Sequence, residues 1–101
     1  MKQKYERVEC ADGFGMSVQA NEGAYCSPRN DDGPYTEVEI GYPTDPEIMI
    51  MRWAEDESRP TDTVYGWVPV GVVRDVIVKH KGAVSGEVPP GVLMLMAWDQ
   101  R

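Results

Sequence analysis

Histidine, cysteine and phenylalanine are scarce in this sequence of 101 residues: His80 and Phe14 are single representatives, and Cys10 and Cys26 are the two cysteines. One histidine with two distant cysteines lacks the close CxxC-type pairs that metal sites usually show, so neither a metal nor any other cofactor is expected. Two thiols allow at most one intramolecular disulfide, far from the dense frameworks of small secreted scaffolds. Both are therefore read as thiols of a reducing cytoplasm. The patterns GxGxxG, GxxxxGK[ST] and HExxH are absent, which excludes the dinucleotide, phosphate-loop and metalloprotease readings that rest on them. Long apolar runs are missing too. The longest, Val92 to Trp98, spans seven residues, against about 20 for a membrane-crossing helix. The basic N-terminus is not followed by the apolar stretch of a signal peptide, so no membrane association is expected. Cations are outnumbered, 10 Lys and Arg against 17 Asp and Glu for a net charge of −7, which argues against direct nucleic-acid binding.

What remains is the composition of an ordinary folded domain, 42% hydrophobic and 27% charged, of a length that suits a single domain over residues 1–101. Residues 5–20 read as a β-hairpin around Ala11-Asp12-Gly13. A three-residue loop with Gly13 in the left-handed region sets Cys10 against Phe14 and Val8 against Met16, whereas a two-residue loop would set Glu9 against Met16 and Arg7 against Val18. The first register is expected. Asn21 to Pro34 has the composition of a long loop. Thr36, Val38, Ile40 and Tyr42 alternate as one face of a strand. The run Ile48 to Trp53 is too short for periodicity to decide, and a strand is expected there. Thr63 to Val68 is β-branched and aromatic, another strand.

Pro69 suits the start of a helix, in which Val70, Val73, Ile77 and His80 recur at helical spacing, Asp75 and Lys79 form an i,i+4 pair, and Gly82 supplies the stop. Residues 83–101 are read as an extension or oligomerisation tail, because 92–98 is apolar on every side. The expected fold is α+β: a small antiparallel sheet of four to five strands packed on one helix. Its core would hold Val8, Phe14, Met16, Val18, Val38, Ile40, Val64, Trp67, Val73 and Ile77.

The charge imbalance is local. Between Asp31 and Asp62 ten acidic residues face only Arg52 and Arg59, while the rest of the chain is nearly neutral. As a solvated face this serves solubility. As an interface, with Asp31, Asp32, Glu55, Asp56 and Glu57 as its candidates, it would dock on a basic groove of a nucleic-acid-handling protein by imitating phosphates. The loop Tyr25-Cys26-Ser27-Pro28-Arg29 brings together a ring, a thiol, a hydroxyl and a guanidinium. With Tyr35 nearby, it is a candidate site for a small nucleotide ligand, since an arginine fork beside a stackable ring suits a phosphate carrying a flat base. The bland alternative is that Tyr25 packs and Arg29 balances Asp31 and Asp32. A cysteine-dependent enzyme would need Cys26 or Cys10 to meet His80.

The segments Cys10-Ala11-Asp12-Gly13-Phe14, Met16-Ser17-Val18-Gln19-Ala20, Tyr25-Cys26-Ser27-Pro28-Arg29, Gly33-Pro34-Tyr35, Val38-Glu39-Ile40-Gly41-Tyr42-Pro43 and Val64-Tyr65-Gly66-Trp67-Val68-Pro69 resemble a family of small uncharacterised proteins encoded by bacteriophages. The resemblance covers residues 5–82. It implies a protein made in the cytoplasm of an infected bacterial host, acting without catalysis by binding and blocking a host factor, in counter-defence against bacterial immunity. The expected partner is a host protein or a small nucleotide ligand, with self-association through 92–98.

Overall fold

The computed structural model describes residues 4–97. Five strands, β1 (Val8–Cys10), β2 (Gly15–Gln19), β3 (Glu37–Gly41), β4 (Val64–Pro69) and β5 (Ala83–Ser85), form one open antiparallel sheet in the order β4-β3-β2-β1-β5. The one α-helix among the described residues, α1 (Val70–Lys79), follows β4 directly. The α+β reading of the sequence holds.

The hairpin adopts the register in which Val8 faces Met16. Gly13 takes φ +95°, Cys10 N–H donates to the Phe14 carbonyl at 2.8 Å, and the Asp12 carboxylate accepts from Phe14 N–H at 3.0 Å. The alternation along β3 buries Val38 and Ile40 completely. It ends at Tyr42, where φ +51° turns the ring outward to 51% exposure. From α1, Val73, Val76 and Ile77 complete the same core. The Asp75–Lys79 pair does not form. Asp75 instead meets Arg74 at 2.9 Å, and Lys79 reaches Glu47 at 2.7 Å.

Two expectations are corrected. Ile48–Trp53 is a 3-10 helix, not a strand. Its three-residue period sends Ile50 into the core while Ile48 stays 82% exposed, and Glu47 caps it by accepting from Met49 N–H at 3.0 Å. In β4, Trp67 is not a core residue and Val64 is only half-buried; Tyr65 and Val68 are buried in their place. The cause is a bulge: Val38 pairs with Val68 and Ile40 with Tyr65, so Gly66 and Trp67 together oppose Glu39 alone. One extra residue inverts the side-chain parity, and Trp67 is turned out with φ +54°.

The C-terminal segment is part of the fold as far as Ala97. Strand β5 pairs with β1, Ala83 N–H donates to the Leu95 carbonyl and Ala97 N–H to the Ala83 carbonyl, and Tyr35 N–H donates to the Pro90 carbonyl. Leu93, Leu95 and Met96 remain exposed. Trp98, the last residue of the apolar run, lies outside the described residues.

Candidate functional site

The bulge on β4, the end of the 3-10 helix and the loop after β2 meet at a cleft of about 330 Å³ lined by Tyr25, Trp53, Glu55, Gly66 and Trp67. Tyr25 is clamped there by its backbone. Its N–H donates to the Glu39 carboxylate at 3.2 Å, and its carbonyl accepts from Trp67 N–H at 3.0 Å. Its side chain lies on Gly66, where an added Cβ would sit 3.1 Å from the Tyr25 Cβ. The Tyr25 and Trp67 rings stack at 5.0 Å between centroids, tilted by 23°. Glu55 is fixed by its N–H donating to the Val64 carbonyl at 2.9 Å. Two guanidiniums lie over rings of the lining, without lining the cleft themselves: Arg29 is 5.9 Å from the Tyr25 centroid and Arg52 5.2 Å from that of Trp53.

Trp67 is the informative residue. A left-handed backbone at a non-glycine position costs on the order of 1 kcal/mol, yet here it exposes a large indole rather than burying it. Strain that presents an aromatic surface beside a cleft is characteristic of binding sites. Replacing it with asparagine, which tolerates this conformation, removes both the strain and a ring stack of about 0.5–1.5 kcal/mol. Trp67→Asn is therefore expected to change unfolding free energy by no more than about 1 kcal/mol in urea titrations; a loss of about 3 kcal/mol would mean that the indole serves the fold.

The five residues singled out in the loop region separate. Tyr25 lines the cleft and Arg29 lies over its ring, while Ser27 is half-buried, its backbone pairing with Glu37. Cys26 and Tyr35 are each 2% exposed. The Cys26 thiol donates to the Asn21 carbonyl at 3.2 Å and the Tyr35 hydroxyl to that of Asn30 at 2.8 Å, so both face inward. The acidic candidates divide as well. Glu55 belongs to the aromatic cleft, and Glu57 is exposed. Asp56 closes its own turn by accepting from Ser58 N–H and hydroxyl. Asp31 and Asp32 line a separate groove of about 670 Å³ with Tyr5, Val88, Pro89, Pro90 and Val92.

His80, at the end of α1, meets carboxylates rather than a thiol. Its Nδ1 lies 2.7 Å from Asp12 and its Nε2 2.6 Å from Glu47, with the ring stacked on Phe14 at 3.9 Å. Both ring nitrogens are therefore taken up by carboxylates, and neither is in contact with a cysteine. Burial pushes the Cys10 thiol up to about 11, helped by the charges of Asp12 and Glu9, which disfavours the nucleophilic thiolate. For Glu47, burial raises the carboxyl, but the hydrogen bonds from Lys79, Met49 N–H and His80 more than offset it and hold it below the usual carboxylate range. Asp12 is likewise held low: desolvation raises it, and the Phe14 N–H and His80 outweigh that.

Among the described residues, no group of three or more His, Cys, Asp and Glu is placed to hold a metal ion, and no helix is long and apolar enough to cross a membrane. No family model, no curated protein and no solved structure matches the chain.

Proposed function

We propose that this chain is a non-enzymatic binding protein whose recognition site is the Tyr25–Trp53–Trp67 cleft, and that it acts in the cytoplasm of a bacteriophage-infected cell by occupying a host component, as a counter-defence. The single observation that carries this reading is the exposed, backbone-strained Trp67 stacked on Tyr25 at the mouth of a cleft. Exposed aromatic anchors beside a pocket supply much of the energy of recognition. The phage setting is supported by the sequence resemblance.

Affinity capture from bacterial lysate, read by native mass spectrometry for proteins and small molecules, tests it. The wild-type protein is expected to retain a stoichiometric component that Trp67→Asn releases. Equal retention by both would contradict the cleft as the site. A second reading is favoured by the other groove, whose two aspartates beside the apolar wall of Val88, Pro89, Pro90 and Val92 suit a basic segment of a host protein. That complex would survive Trp67→Asn and dissociate in high salt.

A further inference from the structure

We infer that the ligand of the aromatic cleft is a small nucleotide, its base stacked against the Tyr25, Trp53 and Trp67 walls and its phosphate held by Arg29 and Arg52. This rests on the cleft being the recognition site and names the chemistry that it takes. Five arginines lie among the described residues. Arg7 pairs with Glu9, Arg59 with Asp62 and Arg74 with Asp75. The remaining two, Arg29 and Arg52, have no carboxylate partner among the described residues, although Arg52 and the residues just after Arg29 belong to the most acidic stretch of the chain. Both lie over rings, and both rings are walls of the same cleft.

A guanidinium with no carboxylate partner keeps its N–H fork available to an anionic guest. Such a fork grips a phosphate in two parallel hydrogen bonds. The two guanidiniums beside the rings outnumber Glu55, the one carboxylate of the lining, which favours an anionic over a cationic guest. The volume, about 330 Å³, is near the lower end of ordinary ligand pockets, about 300–1,000 Å³, and suits one base rather than several. Glu55 at the rim can accept from the amino-bearing edge of a base, as carboxylates do elsewhere. A polynucleotide is disfavoured because its further phosphates would meet a chain of net charge −7.

The test is quenching of tryptophan fluorescence by the four ribonucleoside 5′-monophosphates, with the matching nucleosides, ribose 5-phosphate and a single-stranded oligonucleotide as comparisons. At least one monophosphate is expected to quench saturably, at least tenfold more tightly than its nucleoside, and ribose 5-phosphate is expected not to. Arg29→Ala and Arg52→Ala, both at exposed positions, should each weaken binding at least tenfold, about 1.4 kcal/mol, with unchanged circular dichroism. No saturable quenching by any monophosphate up to about 1 mM, tighter binding of the oligonucleotide, or indifference to both arginine variants would overturn the inference. Should a protein be captured from lysate in a Trp67-dependent way while no monophosphate binds, the cleft stands and only the nucleotide assignment falls. Capture that ignores Trp67 would remove the cleft itself.

Discussion

Glu47→Ala is expected to destabilise the fold by about 3 kcal/mol, a fall in Tm of at least about 12 °C for a domain of this size. Glu47 is 1% exposed and holds three partners at once. It accepts from Met49 N–H as the cap of the 3-10 helix, from Lys79 at 2.7 Å and from His80 at 2.6 Å. Removing the carboxylate leaves the inner nitrogen of His80 and an orphan cap donor facing a cavity. The lower part of the usual range applies because the Lys79 side chain is 45% exposed and recovers water. Glu47→Gln keeps the shape and an acceptor for Met49, so it should lose about half as much; urea unfolding of the three proteins gives the ranking.

The same cluster sets the response to acid. Glu47 and Asp12 are both held below their ordinary values in the folded protein, so the unfolded chain binds protons first as pH falls. Their contribution is complete above the ordinary carboxylate range, about pH 4, and is lost as pH drops through the lower folded values. Wild-type stability is therefore expected to fall across this window, and the Glu47→Ala profile to be flatter there. Parallel profiles would show that the acid response lies elsewhere.

Gly91→Ala is the second large effect, about 2–4 kcal/mol. Gly91 has φ +106°, and a Cβ there would lie 2.2 Å from the Tyr35 carbonyl oxygen and 2.8 Å from its nitrogen. The obstruction is backbone, which cannot rotate away. Relief requires the C-terminal segment to lift, which breaks the Tyr35 N–H bond to the Pro90 carbonyl at 2.8 Å and opens the groove wall formed by Val88, Pro89, Pro90 and Val92. Amide hydrogen exchange should show Tyr35 losing protection in this variant while β2 and β3 keep theirs. Wild-type protection at Tyr35 would contradict the steric reading.

Legibility from sequence followed the range of the interaction. The hairpin register was readable because two candidate loops place different partners opposite Met16, and only one matches apolar with apolar. Helix α1 was readable from Val73 and Ile77 despite its valines. The bulge at Gly66-Trp67 was not, since alternation carries no mark of an inserted residue; the glycine beside a tryptophan in a strand was the one available hint. The run Ile48–Trp53 was ambiguous because it is too short for periodicity to separate strand from 3-10 helix. Glu47 was invisible among ten acidic residues of the same stretch, because its partners lie 32 and 33 residues away. For the same reason Tyr25 and Arg29 were legible as neighbours in sequence, whereas Trp53, Glu55 and Trp67 join them only through the fold.

The most direct test of the cleft as the recognition site is the pair of indole N–H resonances of Trp53 and Trp67 in ¹⁵N-labelled protein, assigned by single substitution and recorded with and without bacterial extract. Both are expected to shift together, with the Gly66 amide, as the cleft fills. Shifts confined to Asp31, Asp32, Val88 and Val92, with both indoles unmoved, would contradict it and place recognition at the acidic groove.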